Sequence, residues 1–250
     1  MNILKGQHWA VIPSRANSQR FPGKALALLD RESLIERTID TVMLATKISR
    51  AVVSTNDKTL VKELPDDVSI HWRPNEYAKP DTRIDDTLRN MIETSDEIGE
   101  FLHLVQLTSP FIHYSHIEES ILILDKMESV DSVQLVTSIP NTYHAFSQRC
   151  VESGKVKFCY PEEREKYYNS QLKPTHYAFA GYVGFRTKSL LRYGNIWGEK
   201  SLPIIGSPEC TIDIDTLEDL EYAEFILRRR GKHVSGCVEE TEKSYGSCVA

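Results

Sequence analysis

The sequence has few cysteines, and none of them stands in the paired spacing typical of metal or redox sites. There are five among 250 residues, an odd number, and no two form a C-x-x-C motif. Free thiols of this kind are typical of a reducing compartment. No apolar run approaches the length of a membrane span, and the first residues lack the pattern of a secretory signal. These absences predict a cytoplasmic protein with no membrane partner.

An excess of positive charge is also missing. Thirty Lys and Arg residues stand against 36 Asp and Glu residues, and the formal net charge is −6 at pH 7. Nucleic-acid-binding domains present a basic face, so this balance argues against a nucleic-acid partner. The hydrophobic content of 40% suffices for one large domain with its own core.

Two familiar phosphate-binding motifs are absent as well. After the first strand the chain reads SRANSQRFPGKA. Ser18 stands in it where a P-loop requires Gly, and Ala25 stands where a P-loop requires Ser or Thr. The G-x-G-x-x-G motif is also missing, which argues against hydride transfer with a dinucleotide.

Strand and helix patterns alternate along the chain up to residue 138. Strands are predicted at residues 9–12, 50–55, 68–72, 101–107 and 131–138. One of the intervening helices is predicted to begin at Ser33, with Glu36 at the spacing of a capping box. This alternation predicts an α/β fold with a mostly parallel, Rossmann-like sheet flanked by helices. In such a sheet, ligands bind beyond the carboxyl ends of the strands.

The pattern predicts a single domain over residues 1–231, with a polar excursion at about residues 140–176. The excursion is either a loop or an arm between subunits. A closing helix over residues 217–230 is predicted to end at Gly231, because glycine favours the C-cap position. The tail over residues 232–250 has few large apolar residues and is predicted to be loose.

Positive charge is concentrated in the loop after the first strand. Arg15, Arg20 and Lys24 supply cations there, and Asn17 and Ser18 supply short hydrogen-bonding groups. Such side chains and the loop amides can surround phosphate oxygens. A solvated basic loop is the alternative interpretation.

Two aspartates near the end of the chain complement this loop. In TIDID, Asp213 and Asp215 alternate with isoleucines, which predicts a strand with both carboxylates on one face. Paired carboxylates repel unless a cation neutralises them, and their hard oxygens suit Mg²⁺. An exposed strand end before the next helix is the alternative. Together the basic loop and the acidic pair indicate a nucleoside triphosphate.

Four segments resemble those of the cytidylyltransferases that activate sugar acids. They read IPSRANSQRFPGK, WRPNEYAKPDT, LVQLTSP and DIDTLEDLEYAEFI, and they follow the family order between residues 9 and 227. The last two are most similar to the acylneuraminate (CMP-sialic acid synthetase) branch. The resemblance implies that the anomeric hydroxyl of a 2-keto-3-deoxy sugar acid attacks the α-phosphate of CTP, with Mg²⁺ as cofactor. CMP-sugar and pyrophosphate are the products.

The resemblance also implies residue roles. Arg15, Lys24 and Asp215 are the implied catalytic residues. Nucleotide contacts fall on Arg15, Asn17, Ser18, Lys24 and Arg73. The sugar acid is implied to contact Gln106 and His176, and the metal is implied to bind Asp213 and Asp215. The excursion resembles the dimerisation arm of the related enzymes, which implies a homodimer.

Several positions depart from each branch of this family. Gln19 and Ala25 replace a Lys and an Asn that are usual in the sialate branch. Thr108 stands where the branch for 3-deoxy-manno-octulosonate (Kdo) has an acidic metal ligand, whereas His176 and the following GY resemble that branch. The sequence therefore predicts a CMP-nonulosonic acid synthetase and leaves open which sugar acid it uses. A Kdo-type enzyme and a non-catalytic nucleotide-binding module remain the alternatives.

Overall fold

The alternating patterns of the sequence form eleven strands and seven α-helices within residues 1–16 and 20–234, the part that the computed structural model describes. The strands are β1 (Asn2–Ser14), β2 (Leu28–Leu29), β3 (Glu32–Ser33), β4 (Ile48–Thr55), β5 (Ser69–Trp72), β6 (Glu97–Val105), β7 (Ser132–Ser138), β8 (Arg149–Glu152), β9 (Lys155–Phe158), β10 (Tyr177–Arg186) and β11 (Ser201–Ile205). The helices are α1 (Leu34–Met43), α2 (Lys58–Val61), α3 (Ile84–Thr94), α4 (Tyr114–Lys126), α5 (Pro161–Lys166), α6 (Thr187–Tyr193) and α7 (Leu217–Val234).

Seven strands form the central sheet in the order β11-β7-β10-β6-β1-β4-β5. β10 runs antiparallel to its neighbours β6 and β7, and the other neighbouring pairs are parallel. The predicted mostly parallel sheet is therefore confirmed. None of the helices in the described part of the chain is long and apolar enough to cross a membrane.

Helices cover both faces of the sheet, which explains why its central strands are apolar throughout. In β1, Ala10 and Ile12 pack into one core with α1, α4 and α7, whereas Trp9 and Val11 pack into a second core with α3 and α6. Successive residues of a strand point to opposite faces, so both sets are buried. The carboxyl-end edge of the sheet is left free for loops.

The capping box predicted at the start of α1 is confirmed. The Ser33 hydroxyl accepts a hydrogen bond from the amide of Glu36 at 3.3 Å, and the Glu36 carboxylate accepts one from the Ser33 amide at 2.9 Å. These bonds satisfy two amides that the helix leaves unpaired. The same carboxylate is stabilised by Ser33, whose side-chain hydrogen bond lowers the pKa of Glu36.

The structure differs from the predictions near the end of the chain. Residues 212–215 have no regular secondary structure after a 3-10 turn at Pro208–Thr211 and pair with no strand of the described residues, so the strand predicted for TIDID is wrong. α7 passes through Gly231 to Val234 instead of ending there. A glycine inside a helix costs only about 1 kcal/mol, which a continuing helix tolerates. The sequence predicts a loose tail over residues 232–250, and residues 235–250 of this tail lie outside the described part.

Candidate active site

A cavity of about 500 Å³ lies at the carboxyl-end edge of the sheet, beyond β1, β4 and β6. Its wall includes Arg15 and Lys24 from the loop after β1, Asp57 after β4, Thr108 after β6, and Asp215 from the segment before α7. Parallel strands end at the same edge, so loops that are distant in sequence meet there. This is the position predicted for the ligand.

The centre of the cavity is an ion cluster around Asp215. Lys24 Nζ lies 2.7 Å from one carboxylate oxygen of Asp215, and Arg20 Nη2 lies 2.5 Å from the other. The Lys24 side chain is only 10% exposed, whereas that of Arg20 is 70% exposed. Two cations on one carboxylate leave the cluster with net positive charge, which suits an anionic ligand. The basic loop is thus not merely solvated.

Backbone turns bring the two members of the Lys24–Asp215 pair together across 191 residues of sequence. Gly23 takes a left-handed φ of 71° and begins the 3-10 turn that carries Lys24. On the other side, the amide of buried Ile214 donates to the carbonyl of Thr108 at 2.7 Å. The Asp219 carboxylate accepts from the amide of Asp215 at 3.0 Å. These bonds fix Asp215 beside the loop after β6.

Asp213 and Asp215 stand on either side of Ile214 and influence one another. Desolvation by the surrounding protein raises the pKa of Asp213, and the negative charge of Asp215 raises it further, against a hydrogen bond with Thr108. The two carboxylates therefore interact electrostatically, and their hard oxygens are of the kind that Mg²⁺ prefers. Among the residues that the structure describes, no group of three or more His, Cys, Asp and Glu side chains is placed to hold a metal ion. The donor set fits Mg²⁺ only if water and ligand oxygens complete it.

Arg15 and Arg73, the two arginines predicted to bind the nucleotide, lie at the same edge of the sheet. The Arg15 guanidinium donates to the carbonyl of Lys79 at 3.0 Å and lines the cavity. Arg73 is 8% exposed and lies behind this wall, and both hydrogen bonds of its side chain go to Ser54. Burial, and then the charge of Arg15, lower the pKa of Arg73 to about 10, so Arg73 stays charged at neutral pH. The structure thus places the two guanidinium groups close together.

The two predicted sugar-binding residues lie apart. The backbone amide of Gln106 donates to the carbonyl of Gly181 at 2.9 Å, close to the cavity wall formed by Thr108. His176 lies in the excursion, where its ring stacks on His144 with 3.9 Å between centroids. It faces a separate open cavity of about 650 Å³. Within one subunit the structure does not bring His176 to the cavity that holds Lys24.

Two predicted nucleotide residues, Asn17 and Ser18, lie outside the described residues, as does Gln19. Sequence reasoning missed Asn56, whose side-chain oxygen accepts from the amide of Ala16 at 2.9 Å and ties this loop to the end of β4. It also missed the cavity residue Asp57, which caps α2. The available signal was their place directly after a buried strand, where polar residues of a parallel sheet gather around a ligand.

Comparison with known proteins gives a single family. Residues 9–233 match the family model described as Cytidylyltransferase. A 3-deoxy-manno-octulosonate cytidylyltransferase of Chlamydia abortus is 24% identical over 93% of this chain and 85% of its own length. A CMP-N,N'-diacetyllegionaminic acid synthase of Legionella pneumophila is 27% identical over 87% of this chain and 95% of its own length. The solved structure of CMP:2-keto-3-deoxy-manno-octonic acid synthetase complexed with CTP shares the fold, with a TM-score of 0.67 and 15% identity, over 90% of this chain and 99% of that one.

Proposed function

Since the chain belongs to the cytidylyltransferase family, we propose that it transfers the cytidylyl group of CTP to a nonulosonic acid and releases pyrophosphate. The anomeric hydroxyl of this 2-keto-3-deoxy sugar acid attacks the α-phosphorus. The bond from that phosphorus to the bridging oxygen breaks, and CMP-sugar remains. The observation that carries the proposal is the meeting of Lys24, Arg20 and Asp215 in one cavity at the carboxyl-end edge of the sheet.

In this reaction the cations position the triphosphate and neutralise its charge. Lys24 and Arg15 lie on the cavity wall, and Arg20 stands at its exposed rim. Phosphoryl-type transfers depend mainly on positioning and on electrostatic stabilisation of the transition state. Asp215 holds Lys24 in place before CTP arrives, so the ammonium group is ordered without the ligand. Asn17, Ser18 and Arg73 complete the proposed nucleotide contacts.

We assign a Mg²⁺ ion to Asp213 and Asp215. When bound, Mg²⁺ polarises the phosphate and favours the deprotonated form of the attacking hydroxyl. The support in this chain is the electrostatic effect of Asp215 on Asp213: burial raises the pKa of Asp213, and the negative charge of Asp215 raises it further. A divalent cation would relieve that repulsion and would release Lys24 toward the phosphates.

The exposed excursion supports a homodimer. β8 and β9 form a two-stranded hairpin that pairs with no other strand of the described residues. Val151 and Val156 are paired across it, with 74% and 66% of their surfaces exposed. An isolated hairpin is only marginally stable in water, so we propose that a second subunit covers this apolar face. His176, at the base of the arm, would then border the sugar site of the partner subunit, opposite Gln106.

A nonulosonic acid is the favoured sugar because the acidic residues follow the sialate pattern. Thr108 supplies a hydroxyl where the Kdo branch has a carboxylate, and the acidic pair lies at Asp213 and Asp215 instead. Kdo is the second candidate, supported by His176 and by the similarity to the chlamydial Kdo enzyme. We place the reaction in the reducing cytoplasm because the sequence has an odd number of cysteines and no C-x-x-C motif.

The test is pyrophosphate release from CTP and Mg²⁺ with sialic, legionaminic, pseudaminic and Kdo acids supplied one at a time. Release with a nonulosonic acid and not with Kdo supports the proposal. Release with Kdo alone shows the second candidate to be correct. No release with any acid, with CTP still bound in calorimetry, favours the non-catalytic module. A Lys24→Met variant serves as the control, because background phosphatase activity would persist in it.

A further inference from the structure

We propose that Ser54 and His71 are positioning residues that hold the Arg73 guanidinium beside Arg15 for the nucleotide. This inference rests on the proposed function, in which Arg73 contacts CTP. Neither Ser54 nor His71 lines the cavity. They act one layer behind it, on two neighbouring strands at the edge of the sheet: Ser54 on β4 is directly opposite His71 on β5.

A series of hydrogen bonds links Arg73 to Ser54 and Ser54 to His71, with each group donating to the next. Arg73 Nε donates to the Ser54 hydroxyl oxygen at 3.3 Å, and Nη2 of the same guanidinium donates to the Ser54 carbonyl at 2.9 Å. The Ser54 oxygen lies 2.9 Å from Nδ1 of His71. An arginine can only donate, so the Ser54 hydroxyl proton is free to bond Nδ1 of a neutral imidazole. His71 thus fixes the hydroxyl rotor in the orientation that accepts from Arg73.

The surroundings of His71 favour its neutral form, which this series of hydrogen bonds requires. Burial lowers the pKa of His71, and the charge of Arg73 lowers it further. Its other nitrogen, Nε2, and the amide oxygen of Asn90 on α3 are both buried without a hydrogen-bond partner. Asn90 is nevertheless close enough to raise the pKa of His71, which opposes the effect of burial. An Nε2 proton directed at this amide leaves Nδ1 as the acceptor.

Such positioning matters because Arg73 and Arg15 repel one another. Burial lowers the pKa of Arg73, and the positive charge of Arg15 lowers it further, as expected for two neighbouring cations. Without an anchor, the flexible Arg73 side chain would turn away from Arg15. Ser54 is only 1% exposed and bonds two nitrogens of the guanidinium at once. This two-point contact pre-organises a pair of like charges for a phosphate-bearing ligand.

The test measures the Kd for CTP by isothermal titration calorimetry with no sugar acid present. His71→Leu removes the acceptor for Ser54, and Ser54→Ala removes the hydroxyl itself. Each is expected to weaken CTP binding about tenfold, the effect of one hydrogen bond to a charged group. His71→Asn places an amide oxygen near the position of Nδ1 and is expected to restore most of the affinity. Ile70→Val, on the same strand with its side chain partly exposed, is the matched control.

A double-mutant cycle separates positioning from a general loss of stability. In an Arg73→Met background, His71→Leu is expected to change the Kd less than twofold, because the group that it positions is gone. An equal loss in both backgrounds contradicts the inference, as does an unchanged Kd for folded His71→Leu and Ser54→Ala. Failure of the wild-type protein to bind CTP would instead contradict the proposed function, so the two failures are distinguishable.

Discussion

Replacing Asp215 with Asn tests the ion cluster at the centre of the site. The substitution keeps the shape of the side chain and removes the charge that both Lys24 and Arg20 contact. At an effective dielectric constant of about 20, unit charges 2.7 Å apart attract by about 6 kcal/mol. Desolvation of the nearly buried Lys24 cancels most of this, and the exposed Arg20 adds little. We expect a net loss of about 2 kcal/mol in the free energy of unfolding, or about 5 °C in Tm.

The same substitution has opposite expected effects on turnover and on binding. The Mg²⁺-dependent kcat/KM is expected to fall at least about 100-fold, because a metal carboxylate is lost and Lys24 is no longer held. The Kd for CTP without divalent metal is expected to stay the same or decrease, since the cavity gains one positive charge. The control is Glu218→Gln, which removes an exposed carboxylate from the first turn of α7. Near-normal turnover in folded Asp215→Asn would refute this reasoning.

Three further substitutions or conditions test other parts of the structure. Gly181→Ala is expected to lower the free energy of unfolding by about 3 kcal/mol in denaturant titration, because φ is +75° and a Cβ would overlap Oγ of Ser109. Adding Ser109→Gly should restore only part of this loss, since the strained φ remains. Stability is expected to fall as the pH drops below about 6.5, because burial lowers the pKa of both His8 and His103 in the folded protein. Below that pH the unfolded chain binds more protons than the folded one, and a flat Tm between pH 7 and pH 5 would contradict this. Val156→Lys is expected to shift the protein from dimer to monomer in light scattering with CTP binding retained, and an unchanged mass would argue against the arm interface.

Features that depend on neighbouring residues could be predicted from the sequence. The capping box of Ser33 and Glu36 needs only a three-residue spacing, and the strand predicted over residues 131–138 differs from β7 by one residue. Buried strands revealed themselves by continuous apolar runs, because helices cover both faces of the sheet. The cationic loop could also be predicted from the sequence, because a cluster of positive side chains does not belong in an apolar core and therefore indicates a ligand or solvent.

Features that depend on distant contacts could not be predicted. Lys24 and Asp215 were each singled out, but no local signal shows that they form an ion pair across the chain. The segment around Asp213 alternates like a strand, yet its amides bond to Glu209, Thr108 and Asp219 rather than to a neighbouring strand. β11 contains Pro203, which lowers strand propensity and is tolerated because the strand lies at the sheet edge.

The most direct test of the central claim follows the phosphorus atoms of CTP. The protein is incubated with Mg²⁺, the sugar acid that supports pyrophosphate release, and CTP labelled at either the α- or the γ-phosphate. Transfer through this site predicts that the α label appears in a CMP-sugar and the γ label in pyrophosphate, and that Asp215→Asn forms both products at least about 100-fold more slowly. An α label found only in CTP or free CMP would contradict the claim that this cavity transfers a cytidylyl group to a sugar acid.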